Sequence, residues 1–541
     1  MEMRALLDSE IARGFYSGGL PFHYARYPHH IKSYNMASEF NFVGYVPPTY
    51  NVLRTTLLQK ERAHVERFLD HIKTTWKKKG VTMVSDGRSD TQRRPLINFM
   101  AVTELGPMFI KAVNCEGNVK DKFFMADLIK EVIMHVGAQH VVQVITDNAP
   151  VCKATSMLVE AQFPHIFWTP CVIHTLNLAL KNICDPSNIQ SNKDAFIECH
   201  WIKEVVDRAL MIKNLILNHN MVATMFNNIA PLKLLGVAET RFASTIIMLK
   251  RLKLLKRALE RLVLSEEWST YREYDQAKAS LIRTTILDEL WWDQVDYILE
   301  FTDPIYVMVR FADTDRPSLH LIYDMWDEMI EKVKSIIYRH ERKEHFEEPP
   351  FYDVVYAILI DRWTKSSSPL HCVAHSLNPR YFSDGEARKA VNAELARFSG
   401  QTDIFGSADS IEDRGTEDPK MWWLIHGASA PNLQKIALKL LGQPCSSSCC
   451  ERNWSTYSFI HSVKRNKILP SWAEDLVYVH TNLRLISRKS ELYTKGETKL
   501  WDIGALIGGD RFDPLDGAEE LEIATLSLDE PEMEAMIIED D

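Results

Sequence analysis

Three acidic residues lie in separate segments that each have the character of part of one active site. Asp86 follows the apolar run VTMVS, Asp147 follows the apolar run VVQVIT, and Glu451 opens a predicted helix much later in the chain. Carboxylate oxygens suit divalent metal ions, and such ions serve phosphoryl transfer on nucleic acid. These residue types therefore predict a metal site, with all three carboxylates as metal ligands and catalytic groups.

Each acidic residue also has an ordinary structural explanation when it is taken alone. Asp86 precedes Gly87 in a common hairpin-turn dipeptide. Asp147 stands in TDNAP, where it can cap the next helix. Glu451 completes a capping-box pattern that begins at Ser448. We favour the shared site because the predicted strand order brings the two aspartates side by side.

The elements that must position the aspartates are predicted between residues 80 and 180. Three short strands joined by tight links come first, and the first of them is expected to close at the Asp-Gly pair. A helix with an apolar stripe, a buried strand, a second helix (149–163) and a last strand over IFWTPCVIH follow. A right-handed crossover places the fourth strand beside the first. Asp86 and Asp147 are then neighbours at the carboxyl ends of adjacent parallel strands.

Composition limits the classes of protein that the chain can represent. Apolar content of 46% and charged content of 25% are typical of a globular protein, and the net charge of −10 argues against nonspecific coating of DNA. The nine cysteines lack paired zinc spacing, and we expect reduced thiols in cytosol or nucleus. We expect no signal peptide and no membrane span, because no apolar run approaches the roughly 20 residues that a span needs.

Two further residues near the predicted site form a Cys-x-x-His pair, Cys171 and His174, at the end of the last strand. Two ligands are too few to hold zinc without partners, so we favour a buried thiol beside a locally hydrogen-bonded histidine. A role for His174 in orienting a phosphate or a carboxylate stays open.

Basic clusters are candidates for nucleic-acid contact. One face of a predicted helix carries Lys250, Lys253, Lys256 and Arg257, and another cluster contains Lys464 and Arg465. Phosphate contact and a plain solvated face stay equal alternatives.

From about residue 80 to 487 the chain resembles the hAT superfamily of DNA transposases, in its plant-type branch. The matching segments are VSDGRSDTQRRPLINFM, VITDNAPVCKAT, CVIHTLNLAL, TRFAST, LHCVAHSLNPRYF and SSSCCERNWSTYSFIHSVKRNKILPSWAEDLVYVHTNLRL. The last segment looks like the family's C-terminal dimerisation region and is the most specific. The resemblance implies an α/β fold, an RNase H-like mixed sheet interrupted by a large α-helical insertion domain.

The same resemblance implies a D-D-E site at Asp86, Asp147 and Glu451, which would hold two Mg²⁺ or Mn²⁺ ions and cut and join DNA. It further implies a nuclear protein that forms a homodimer or higher homo-oligomer through its C-terminal region, with DNA as a partner and no membrane. The expected segments are 1–75 (helical and irregular), 76–185 (RNase H-like, first part), 186–430 (helical insertion, with a loop at 400–420), 431–490 (two helices around Leu469-Pro470 that complete the fold and carry the dimerisation region) and 491–541 (acidic and disordered).

The chain departs from the family pattern in three places. No cysteine precedes Cys115, so we expect no zinc finger of the BED type, with which family members usually begin. Arg88 stands where the family usually has tryptophan. Phe242 replaces the tryptophan of an Arg-Trp pair, in which Arg241 keeps the guanidinium for nucleic acid.

We therefore predict a hAT-type transposase-related dimer, domesticated or truncated, in which retention of the D-D-E chemistry is open. The alternative is an active DNA transposase, and another RNase H-like nuclease is disfavoured by the long helical insertion. Dimerisation is also suggested by a helix over EDLVYVHTNLRL with more apolar surface than one helix can hide. The alternative is that its apolar residues pack into the core of their own chain. These residues are Leu476, Val477, Val479, Leu483 and Leu485.

Overall fold

A computed structural model gives the architecture of most of the chain. It describes residues 2–18, 24–25, 27–40, 42, 44–90, 93–232, 234, 243–270, 276–344, 346–347, 349–377, 393–460 and 469–487. The protein has a mixed α/β architecture, with one five-stranded sheet and many helices. The predicted acidic tail, 491–541, lies outside the described residues.

The sheet has five strands in the order β3-β2-β1-β4-β5. Strands β1 and β2 and strands β2 and β3 pair antiparallel, whereas β4 is parallel to both β1 and β5. The predicted position of the fourth strand beside the first is therefore confirmed. The strands are β1 (Val81–Ser89), β2 (Pro95–Thr103), β3 (Gly106–Asn114), β4 (Val141–Thr146) and β5 (Phe167–Pro170).

Two strand ends differ from the prediction. Strand β1 does not close at the Asp-Gly pair, because Gly87 pairs with Ile97 and the ladder with β2 continues to Ser89. The chain turns only afterwards, where Asp90 accepts hydrogen bonds from the backbone and guanidinium nitrogens of Arg94. Strand β5 ends at Pro170, so the residues that follow start a helix instead of extending the strand.

Helices precede the sheet in the chain and also lie between and after its strands. Those that precede it are α1 (Glu2–Gly18), α2 (Pro28–Glu39), α3 (Tyr50–Val52) and α4 (Leu58–Lys79), with a π-helical turn (Leu53–Leu57) between the last two. Those between and just after its strands are α5 (Lys122–Val136), α6 (Pro150–Gln162) and α7 (Val172–Cys184). The predicted apolar stripe of α5 is buried, and Asp121 caps this helix by accepting from the backbone N–H groups of Phe123 and Phe124.

The predicted helical insertion is helical throughout its described parts, and its long helices share the main apolar core with the sheet. Its helices are α8 (Lys193–Asn218), α9 (Asn220–Ile229), α10 (Ala243–Leu254), α11 (Lys256–Leu264), α12 (Glu266–Thr270), α13 (Gln276–Ile286), α14 (Glu289–Ala312), α15 (Ile322–Glu341), α16 (Pro350–Ser366), α17 (Pro369–Ser376) and α18 (Ala393–Ser399).

Residues 400–420 form two helices around a second apolar core, and the predicted loop is wrong. The residues that suggested a loop are helix caps: Ser407 accepts from the N–H of Ser410, and Asp418 accepts from the N–H groups of Lys420 and Met421. Three helices, where two were predicted, then complete the described chain. The five helices of this region are α19 (Ala408–Thr416), α20 (Pro419–His426), α21 (Pro431–Leu440), α22 (Ser448–Ile460) and α23 (Pro470–Ser487).

All nine cysteines lie in the described ranges and are free thiols, which agrees with the expected reduced state. Within those ranges no helix combines the length and the apolar character that crossing a membrane requires.

The close approach of α4 to β4 can be tested at Gly80, which follows α4 with a φ of +70°. A Cβ at this position would lie 2.5 Å from Cγ2 of Val142, on a stiff β-branched side chain. We expect Gly80→Ala to lower the free energy of unfolding by about 3 kcal/mol, from left-handed strain together with overpacking. The control Gly117→Ala has a φ of +78° and open space around it, and should cost only about 1–2 kcal/mol. If urea unfolding shows the same loss of free energy of unfolding in both variants, the close approach of α4 to β4 is contradicted.

Candidate functional site

A fully buried stretch of chain leads into α22, the helix that carries Glu451. Every residue from 441 to 450 is buried. The side chain of Gln443 anchors the start of this stretch, because its Nε2 donates to the carbonyl oxygens of Lys79 (3.1 Å) and Lys439 (2.6 Å). Its Oε1 accepts from Oγ1 of Thr82 at 2.7 Å, on β1. The stretch is thus attached both to the end of α4 and to the sheet.

Hydrogen bonds between buried side chains continue from β1 across β4 to β5. Nε2 of Gln143 on β4 donates to Oγ1 of Thr82 (2.9 Å) and to the carbonyl of Pro444 (2.8 Å). Oε1 of Gln143 accepts from Oγ1 of Thr169 on β5 at 2.8 Å. The side chains of Thr82, Gln143, Thr169 and Gln443 are wholly buried. We call these four residues the polar chain; their mutual hydrogen bonds offset the cost of burying polar atoms.

Further contacts hold the end of the buried stretch over the sheet. The backbone N–H of Ser447 donates to Sγ of Cys171 at 3.3 Å, and the N–H of Val172 donates to the carbonyl of Cys445 at 3.2 Å. Nδ2 of Asn98 on β2 donates to the carbonyl of Cys450 at 3.1 Å. These contacts bring the first turn of α22 against β1 and β2.

Asp86 lies half-buried in β1, paired across the ladder with Asn98. Its Oδ2 accepts a hydrogen bond of 2.7 Å from Nε1 of Trp454, which lies on α22. Glu451 precedes Trp454 by three residues, about one helical turn. The helix that carries the late carboxylate is therefore connected directly to the first aspartate.

Asp147 follows β4 at the same edge of the sheet. Val84 pairs with Ile145 in the parallel ladder of β1 and β4, so Asp86 and Asp147 each stand two residues further along neighbouring strands. Oδ1 of Asp147 accepts from the N–H of Ala149 at 3.1 Å, a local turn contact. Because Ala149, not Asp147, is the N-cap of α6, the simple capping interpretation is wrong.

The thiol of Cys152 on α6 lies within electrostatic reach of both aspartates. Burial raises its pKa to about 12, and the negative charges of Asp147 and, to a smaller extent, Asp86 act in the same direction. The thiol is therefore neutral at physiological pH. No sequence pattern predicted this neighbour, because its position depends on the direction in which α6 leaves the strand.

Glu451 is half-buried in the first turn of α22, where the helix dipole favours a carboxylate. The next residue, Arg452, forms ion pairs with Asp313 (2.7 Å) and Asp315 in the segment that follows α14. Its guanidinium also donates to Oγ of Ser448 at 3.0 Å, and Ser448 is the first helical residue, not the N-cap of a capping box. Arg452 thus fixes α22 to the helical insertion.

The oxygen donors of the three carboxylates suit a hard divalent cation. Across the described residues, no group of three or more His, Cys, Asp or Glu side chains is arranged to hold a metal ion. Asp86 and Asp147 both accept hydrogen bonds from protein groups, from Trp454 and Ala149 respectively. The shared metal site of the three carboxylates stays a prediction.

Cys171 and His174 lie at the start of α7. Cys171 is the N-cap and is wholly buried, and burial raises the pKa of its thiol. The favoured interpretation as a buried thiol agrees with this position, although its role in accepting from Ser447 had no signal in the sequence. His174 lies half-buried in the first turn of the helix, not at a strand end as predicted.

The predicted basic face of α10 and α11 lies against α14, whose acidic residues are seven positions apart. The three ion pairs have N–O distances of 2.7 to 2.9 Å and are partly exposed, so each contributes little stability. Arg257 is exposed, and Arg241, Lys464 and Arg465 lie outside the described residues. Nucleic-acid contact by these residues stays a prediction. The pairs are Lys250–Asp303, Lys253–Asp296 and Lys256–Glu289.

Helix α23 packs into the core of its own chain, against β3 and α4. Val477 and Leu485 are buried, and Leu476, Val479 and Leu483 are partly buried against the main core. Asn482 adds a two-way contact with the backbone of Phe109, through bonds of 2.9 and 3.0 Å. The prediction that this helix exposes its apolar residues is therefore wrong. The alternative, in which these residues pack into the core of their own chain, is confirmed.

Fold and site together define a mixed α/β protein with paired aspartates at one edge of a five-stranded sheet, completed by a distant C-terminal segment. Residues 48–212 match the family model described as "Domain of unknown function (DUF659)", and residues 401–483 match the hAT family C-terminal dimerisation region. These two matches support an hAT-family, transposase-derived protein. No curated protein matches it.

The polar chain can be tested by Gln143→Leu, which keeps the approximate volume but removes three hydrogen bonds. We expect the free energy of unfolding to fall by about 3 kcal/mol, because Thr82, Thr169 and the Pro444 carbonyl lose a buried partner. Gln139→Leu, at an exposed position, is the matched control and should change stability by less than about 0.5 kcal/mol. Thermal unfolding followed by circular dichroism measures both. A wild-type melting temperature in Gln143→Leu would show that the polar chain does not stabilise the fold.

Proposed function

We propose that this hAT-family chain acts as a transposase-related homodimer, domesticated from an ancestral element and assembled through its C-terminal unit. The match of residues 401–483 to the family's dimerisation region carries this proposal. That unit is attached to the sheet through Gln443 and the buried stretch that follows it. A partner bound there would therefore be connected rigidly to the rest of the molecule.

We also propose that the α/β unit is RNase H-like. Three antiparallel strands followed by two parallel ones, in the order β3-β2-β1-β4-β5, support this assignment. The long helical region between α7 and α22 supports the proposed insertion. A nuclear location and a DNA partner follow from the family relationship and are part of the same proposal.

The hydrogen bonds that the two aspartates make within the chain favour dimerisation over catalysis. Asp86 and Asp147 already accept hydrogen bonds from Trp454 and Ala149. The lysines of α10 and α11 are likewise paired within the chain. These observations support a protein in which the ancestral site has a structural role.

The dimer is tested by multi-angle light scattering of the full chain, whose protomer mass is 62.4 kDa. We expect about twice that mass at micromolar concentration, because the dissociation constants of specific dimers commonly lie in or below the micromolar range. A chain truncated near residue 430 is not a suitable monomeric control, because the truncation removes the buried stretch that completes the sheet. A protomer mass at every concentration would refute the proposed dimer.

The second candidate function is DNA strand cleavage by the same chain, supported by the two aspartates at the ends of adjacent parallel strands. It requires nicking of DNA with Mg²⁺ or Mn²⁺, lost to background in Asp147→Ala because a carboxylate ligand is removed. Asp127→Ala, at an exposed position on α5, is the control and should nick like the wild type. If the wild-type protein cuts no DNA with either ion, this second function is excluded.

A further inference from the structure

Helix α20 is apolar on both of its long faces. Trp422, Trp423 and His426 are buried in the second core. On the opposite side, Met421, Leu424 and Ile425 are 48%, 54% and 52% exposed. Their spacing of three and four residues puts them on one face of the helix. A helix that is apolar all round is normally buried, so this face has the composition of an interior surface.

The exposed face of α20 is held rigidly from behind. Nε1 of Trp423 donates to the carbonyl of Leu377 at 2.6 Å, and Nε1 of Trp422 donates to the carbonyl of Ser410 at 2.9 Å. Nε2 of Gln434 on α21 donates to the carbonyl of Trp423 at 2.7 Å. Because the buried side is anchored in this way, the exposed side presents a preformed surface. Little conformational entropy would be lost when a partner covers it.

The lysine of α20 is paired with a carboxylate of the same chain. Lys420, at the second helical position, forms an ion pair with Glu104, at the turn between β2 and β3. Lys79 at the end of α4 forms an ion pair with the same carboxylate. The exposed face that follows therefore carries three large apolar side chains and no charge of its own. Depletion of charge at the centre of a patch is a mark of protein interfaces.

We propose that Met421, Leu424 and Ile425 form the centre of the interface between two copies of this chain. The inference rests on the proposed dimer and names the surface that makes it. A second copy is the partner because the face lies within residues 401–483, the match to the family's dimerisation region. Helix α23, the other apolar helix of that region, is already packed against β3 and α4 and is not available.

The distribution of apolar surface within the region supports this choice. Among the described residues of 401–483, most of the exposed large apolar side chains fall between α18 and the end of α21, and α20 carries three of them. In a two-fold dimer the same patch occurs on both partners, so an apolar face would meet its own copy without any need for charge complementarity. The exposed side chains are Ile404, Ile411, Met421, Leu424, Ile425, Ile436 and Leu469.

The test is the mass of full-length variants across a concentration series. The double variant Leu424→Glu, Ile425→Glu should weaken dimerisation at least about a hundredfold, because it puts four carboxylates into the centre of a two-fold interface. Met157→Glu is the control, at an apolar residue on α6 that lies outside the region and is even more exposed than Leu424 and Ile425. Its dissociation constant should stay within about threefold of the wild type.

The outcomes separate this inference from the proposed function. A wild-type chain that is a monomer at all concentrations overturns the dimer itself. A wild-type dimer that persists unchanged in the double variant shows that the interface lies elsewhere and overturns only the inference. Circular dichroism and the melting temperature establish that the variants are folded.

A second measurement covers the case in which the double variant fails to fold. Leu424→Cys in the full chain should be joined to its copy by a short bis-maleimide linker, giving a covalent dimer on a denaturing gel. Wild type and Met157→Cys are the controls and report any reaction of the native cysteines. Cross-linking of Leu424→Cys that does not exceed both controls also overturns the inference.

Discussion

A chain of buried hydrogen bonds through Gln443, Thr82, Gln143 and Thr169 joins the sheet to the C-terminal segment that leads into α22. A buried amide or hydroxyl without a partner costs roughly 1–3 kcal/mol, so each of these side chains is stable only while the others are in place. The C-terminal segment thereby becomes part of the sheet, although it is separated from the strands by the whole helical insertion. The position of α22 and of everything it carries follows from this connection.

Helix α22 connects the sheet to the helical insertion. It brings Trp454 to Asp86, while Arg452 holds the helix to the segment that follows α14. The hydrogen bond between Asp86 and Trp454 therefore joins the sheet to the C-terminal unit. In the proposed dimer, this contact would transmit the position of the C-terminal unit to the sheet.

The helical insertion and the C-terminal region differ in the kind of side chain that they leave exposed. Lysines that resemble a nucleic-acid contact along α10 and α11 pair with acidic residues of α14, so their charge is largely neutralised within the chain. Apolar residues predicted to be exposed on α23 are instead packed in the main core. The apolar surface that stays exposed in the dimerisation region is concentrated on α20, which the second core orients toward solvent.

Local patterns by themselves determined the strands, the amphipathic helices and, through the right-handed crossover, the adjacency of β1 and β4 that brings the two aspartates to one edge. Short polar residues were ambiguous, because Ser407 and Asp418 cap helices as readily as they form loops. Only the tertiary structure decided that Trp454 hydrogen-bonds Asp86 and that the lysines of α10 have acidic partners. The reason is that a side chain's partner depends on how distant elements pack, and no local period encodes that packing.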